Sequence, residues 1–133
     1  MGFLLALHSL VRWVIVILAV VAAIRFALVW MRVMTGSRSD TILMRGYGIV
    51  MGLQMLIGLA FLVWSGVSGA GFPGYRIGHG ITMFVAVILA NALPRRWSGG
   101  TGSTRARNYL LAVIASLVLV FVAVAILPGG WSR

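Results

Sequence analysis

Four apolar runs, each long enough to cross a lipid bilayer, constrain this chain more than any other feature. A hydrocarbon core about 30 Å thick takes roughly 20 apolar residues in a helix. The runs cover about 3–30, 42–65, 75–93 and 109–127. Three short segments separate them, at 31–41, 66–74 and 95–108, and these are polar or rich in Gly, Ser and Pro. Only 9% of the residues are charged and 62% are hydrophobic. A soluble domain carries about a quarter charged residues, so this chain has too few charges to cover a water-facing surface. The expected fold is all-α: an integral membrane four-helix transmembrane bundle, with residues 1–133 as one transmembrane domain in contact with the lipid bilayer. The first run lacks a basic start and a small-residue cleavage site and is too long for a cleaved signal peptide, so it reads as a retained span.

The charge is one-sided: ten more basic than acidic side chains, with every base an Arg and Asp40 the single acid. The Arg residues punctuate apolar runs instead of forming one basic face, which argues against nucleic acid. Arg25, Arg32, Arg38, Arg45, Arg95, Arg96, Arg105 and Arg107 fall on the first and third loops and their helix ends, whereas the opposite side has Arg76 and Arg133. The positive-inside rule puts the first and third loops in the cytoplasm, with both termini on the outer face. Trp13, Trp30, Trp64, Trp97 and Trp131 fall mostly near span ends, as interfacial aromatics do. With no Cys, thiolate metal sites and cysteine nucleophiles are excluded.

Few side chains here can carry chemistry. His8 and His79 lie a few residues into the first and third spans. Those spans run in the same direction, so at about 1.5 Å per residue both imidazoles sit at a similar depth near the outer edge. A haem iron clamped between two helices needs two neutral imidazoles level with one another. Gly78 and Gly80 flank His79 and leave room for a flat macrocycle, and Arg76 shares the face of His79 one turn nearer the surface. Arg12, four residues after His8, costs about 2.5–3.5 kcal/mol to bury in lipid even on lenient scales. It must snorkel to the interface or meet an anion, such as a propionate, a lipid phosphate or a partner's carboxylate. Ser9, Thr82 and Tyr75 are candidate supporting donors. Gln54 and Asn91 read as interhelical hydrogen bonders, and Gly48 with Gly52 as a face that lets another helix approach closely. The plainer reading of each His is an interfacial polar residue, and of the loop Arg residues a topology signal.

The absences also exclude functions. No Asp or Glu lies within a span, although proton-coupled antiporters and pumps generally rely on such carboxylates. Asp40 is across the membrane from both His residues, so no Ser-His-Asp arrangement can be assembled. No catalytic residue is assigned, and the chain reads as an electron carrier or a subunit sooner than a stand-alone enzyme.

The run Leu7-His8-Ser9-Leu10-Val11-Arg12-Trp13 resembles the start of a small family of bacterial four-helix membrane proteins that open on an HSxxRW pattern and are commonly labelled cytochrome b-like. Leu53-Gln54-Met55-Leu56-Ile57-Gly58-Leu59 is similar to that family's LQxxxGL stretch, and His79 with Met83 and residues 86–90 fits its third helix. Family members often carry a His before LQ and an acid before the third-helix His. Gly52 and Gly78 stand at or nearest those places here. The resemblance implies the bacterial cytoplasmic (inner) membrane. The expected function is electron transfer through haem b held by His8 and His79 between the first and third helices, with Arg12 and Arg76 neutralising the propionates. A quinone or a neighbouring redox subunit would be the electron partner, and other membrane subunits or further copies of the chain would surround it. The alternative is a non-haem accessory or structural subunit of a larger respiratory or photosynthetic membrane complex. A small transporter or channel is a weaker third reading.

Overall fold

In the absence of water each backbone N–H and C=O in the hydrocarbon must find an internal partner, which restricts a spanning segment of this length to a helix. The computed structural model describes residues 2–96 and 102–130. It contains α1 (Gly2–Trp30), α2 (Arg38–Ser65), a π-helical turn (Gly66–Ala70), α3 (Gly74–Arg96) and α4 (Gly102–Ala125). All four helices are long and apolar enough to cross a membrane, so the chain has the fold of a multi-pass membrane protein. Trp97, Trp131, Arg133 and residues 98–101 of the third loop lie outside the described residues.

The helices pack as a square. Its sides are α1/α2, α2/α3, α3/α4 and α4/α1, which puts α1 and α3 on one diagonal and α2 and α4 on the other. Lipid tails are as apolar as Leu, so close packing has to hold such a bundle together, and small residues permit it. The buried seam is accordingly rich in Ala: Ala19 and Ala22 on α1, Ala86 and Ala90 on α3, and Ala106, Ala112 and Ala123 on α4. Phe26, Tyr47 and Met51 fill the space between them and are fully buried. Tyr47 spans the α2/α4 diagonal, with its hydroxyl 2.7 Å from Ser116 Oγ. Leu10, Ile17, Ile24, Leu56, Ile81 and Val118 are well exposed and form part of the apolar outer surface. Trp13, Trp30 and Trp64 are about half exposed.

Helix bounds run past the apolar runs at the Arg-rich end. α3 continues through Pro94 to Arg96, and α4 starts at Gly102, before Arg105, Arg107 and Asn108. Hydropathy marks the length that fits inside hydrocarbon, whereas the helix continues for a further turn or two on polar residues. Pro94 falls in the last turn of α3, and the helix ends two residues later.

At this end the single acid is fully engaged. Asp40 is 2% exposed. Its Oδ1 accepts from Arg25 Nε at 2.8 Å, and its Oδ2 accepts from Ser37 N–H at 3.0 Å. The carboxylate caps the first turn of α2, where the helix dipole favours negative charge, and joins α1 to α2. Arg25 Nη2 also donates to Thr35 O at 3.1 Å. At the opposite end, Gly71 N–H reaches back to Gly66 O at 3.3 Å, and Gly69 and Gly71 adopt φ of 116° and 70°, which only glycine takes without strain.

Replacing Asp40 by Asn should lower unfolding free energy in detergent by about 1.5–3 kcal/mol, as for a bond to a charged group. Tyr47→Phe should cost less, about 0.6–1.7 kcal/mol. Equilibrium unfolding of both variants checks the order, and a larger loss for Tyr47→Phe would contradict it.

Candidate imidazole site at one end of the bundle

His8 and His79 come from helices on a diagonal, yet their side chains meet. Their ring centroids are 6.3 Å apart and the ring planes are inclined at 75°. Each ring is placed by a neighbouring helix.

His79 Nδ1 lies 2.7 Å from Ala123 O on α4. A carbonyl only accepts, so Nδ1 carries the proton in that bond. In the neutral ring the lone pair is then on Nε2, the tautomer that a backbone carbonyl commonly selects for a metal-binding histidine. Ala123 O has this bond to spare because α4 stops at Ala125. Leu127 N–H, four residues on, instead bonds Val124 O at 3.1 Å. Pro128 has no N–H with which to continue the helix. The terminal carbonyl is thus left for a side chain to satisfy.

His8 is placed from α2. Gln54 Nε2 donates to His8 O at 2.8 Å. One turn further on the same face, Gly58 lies beneath the imidazole: a Cβ built there would be 3.0 Å from His8 Cε1. His8 Nδ1 and Gln54 Oε1 are buried without a hydrogen-bond partner among the described residues, a state that costs about 1–3 kcal/mol per group.

Both rings open on a cavity of about 520 Å³ between α2 and α3, within the usual 300–1,000 Å³ of small-molecule sites. Its lining includes Gln54, Gly58, Arg76 and Gly80, with Leu5, Met55, Phe61, Leu62, Met83 and Phe84 supplying apolar surface. Arg76 Nη1 donates to Ser65 Oγ at 2.6 Å, and its guanidinium carbon lies 5.8 Å from the Phe61 ring centroid. That anchors the cation at the mouth, where α2 ends and α3 begins.

The other sequence candidates are placed differently. Gly80 lines the cavity, but Gly78 faces Ile126, whose Cδ1 would lie 3.6 Å from an added Cβ. Arg12 is 8% exposed, so it is covered by protein, and its guanidinium carbon is 5.4 Å from the Trp13 ring centroid. Arg12 is not among the cavity-lining residues. Thr82 Oγ1 donates to Gly78 O of its own helix at 2.8 Å, whereas Tyr75 lines the cavity. Gln54 and Asn91 both bond across helices, Asn91 Nδ2 donating to Gly48 O at 3.2 Å. Around Gly52 an added Cβ would touch nothing within 4 Å. Gly58 and the Ala123 carbonyl were not singled out from the sequence. Gly58 was detectable, one turn from Gln54 on the same helical face, but a backbone acceptor has no side-chain signature.

Among the described residues no three His, Cys, Asp or Glu side chains cluster. A zinc ion needs three or four protein ligands. Two imidazoles suit a metal that brings most of its own ligands, as porphyrin iron does. The free Nε2 of His79, the glycine beneath His8 and the apolar lining fit such a group. Comparison with protein-family models, with curated proteins and with solved structures gives no match for this chain.

Gly58→Leu would put a side chain where the His8 ring stands. Labelling by diethyl pyrocarbonate, read by mass spectrometry, should modify His8 several-fold faster in that variant than in the wild type. An unchanged rate would mean that the ring does not rest against Gly58.

Proposed function

We propose that this chain is a membrane haem protein of b type that relays electrons, with His8 and His79 as the residues that would hold the group. The observation that carries the reading is the spacing of the imidazoles across the α1/α3 diagonal. The ring centroids are 6.3 Å apart and both residues line one cavity, so both could reach one bound group.

The chain's own residues each have a part. The bond from His79 Nδ1–H to Ala123 O orients the ring and makes Nε2 the better ligand. Gly58 leaves the width that the His8 ring needs. Arg76, held on Ser65 at the cavity mouth, offers charge to the carboxylates of the group. Arg12, one turn deeper than His8, adds positive potential from inside the bundle, which favours an anionic ligand and the reduced state of a bound metal. When bound, haem would supply a one-electron couple. The apolar lining keeps water away from it and lowers the reorganisation that transfer requires. A quinone or an adjacent redox subunit is the electron partner.

The Arg distribution supports an orientation with the loop between α1 and α2 in the cytoplasm and the π-helical turn outside, and the family resemblance supports a bacterial cytoplasmic membrane. The chain has no cysteine, so single substitutions report cleanly. Ser68→Cys should react with an impermeant maleimide added to intact spheroplasts, and Thr35→Cys only after lysis. The reverse pattern would invert the topology.

The haem reading is tested on protein purified in mild detergent, by oxidised and dithionite-reduced spectra with a pyridine haemochrome assay. One haem per chain and a sharp reduced α-band are expected. His8→Ala and His79→Ala should each remove the six-coordinate spectrum. A folded, colourless protein that takes up no added haem would end this reading and favour a non-haem accessory subunit.

A further inference from the structure

The Arg-rich end of the bundle holds a second cavity, of about 370 Å³, between α2, α3 and α4. Each helix contributes one Arg to its lining: Arg45 from α2, Arg95 from α3 and Arg105 from α4. Positive charge gathered from three helices favours an anion at this place. The chain's single acidic side chain is not placed to help, since Asp40 is buried against Arg25 and Ser37. Two hydroxyls also face the cavity: Thr41 Oγ1 and Tyr109 Oη, which lie 3.2 Å apart and can each rotate a hydrogen toward a ligand. Asn91 has committed its amide N–H groups to Gly48 O and Val87 O, and Arg105 Nη2 donates to Ser37 O at 3.4 Å, so the donors for an anion are the remaining N–H groups of Arg45 and Arg105 and the hydroxyls. That set suits a tetrahedral oxyanion, because guanidinium presents paired N–H groups to two phosphate oxygens at once.

We propose that this cavity binds a phosphate group, and that an anionic phospholipid headgroup is its source. Below the cations, the same cavity is lined by Met44, Ile49, Ala90 and Pro94. Ile49 is 63% exposed on the outer surface of α2, so the apolar part opens sideways toward lipid. A phosphodiester with acyl chains fills both parts, whereas free phosphate fills only the polar one. Bound there, the lipid bridges three helices at the end where α3 and α4 extend beyond the apolar slab. The site is remote from both histidines and does not depend on whether haem is held at the other end.

The test uses the full chain, delipidated in a neutral detergent. Thermal unfolding and native mass spectrometry are followed while phosphatidylglycerol, phosphatidylcholine or inorganic phosphate is added. Phosphatidylglycerol should be retained and should raise the melting temperature, with phosphatidylcholine weaker. Arg45→Gln combined with Arg105→Gln should weaken phosphatidylglycerol binding by about 10–30-fold. Arg38→Gln combined with Arg107→Gln removes the same charge from the same end but outside the cavity, and should leave binding within about twofold of wild type. Equal losses in the two double variants would overturn the proposal, because diffuse surface charge would then account for the binding. Stabilisation by inorganic phosphate as strong as by the lipid, lost only in the cavity variant, would keep the phosphate site but assign it to the free ion. If the cavity variant does not fold, Tyr109→Phe with Thr41→Val serves in its place. A variant of that kind with unchanged lipid selectivity would likewise overturn the proposal.

Discussion

Helices in hydrocarbon gain almost nothing from burying apolar surface against one another, since lipid offers the same surroundings. Close packing and a few hydrogen bonds must therefore decide which helix faces touch. This bundle depends on that constraint throughout. Alanines on α1, α3 and α4 let the backbones approach. The sparse polar groups then determine how the square closes. Tyr47 and Ser116 tie the α2/α4 diagonal in the interior, and the imidazoles of His8 and His79 meet across the other diagonal near the end where α1 begins.

The imidazole cavity exists because packing is incomplete at that end. α4 stops at Ala125, and glycine replaces larger side chains at positions 58 and 80 beside the cavity. A truncated helix leaves a carbonyl to be satisfied, and His79 satisfies it. The end of α4 ahead of Pro128 thus leaves the carbonyl that orients a candidate ligand. The buried and unbonded Nδ1 of His8 and Oε1 of Gln54 mark the same place as one where the protein alone is not fully satisfied.

The two ends carry opposite kinds of chemistry. Among the described residues, the histidine end carries Arg76 and the covered Arg12 as its charged side chains. The other end gathers guanidiniums around a small cavity and locks the chain's one carboxylate into a cap. This separation keeps Asp40 from competing as a counter-charge or a ligand at the imidazoles. An anion brought in from outside the chain can then be accommodated at either end without a resident carboxylate opposing it.

The four spans, the all-helical class and the segregation of Arg were legible from residue types, because the bilayer penalises unbonded backbone and buried charge strongly enough to leave a linear pattern. The matched depth of His8 and His79 was legible for the same reason: rise per residue along parallel helices is fixed. Several features needed the folded bundle. Which helices are neighbours and which are diagonal depends on the shape of the Ala seams, and an apolar run does not state the direction in which a side chain points. The separation of Gly78 from the cavity while Gly80 lines it is a matter of helix rotation. The Arg25–Asp40 bond, the Ala123 carbonyl under His79 and the Gly58 cradle under His8 join residues far apart in sequence. They become neighbours only once four helices have chosen their faces, because side-chain contact is decided by packing in three dimensions and hydropathy by transfer into lipid.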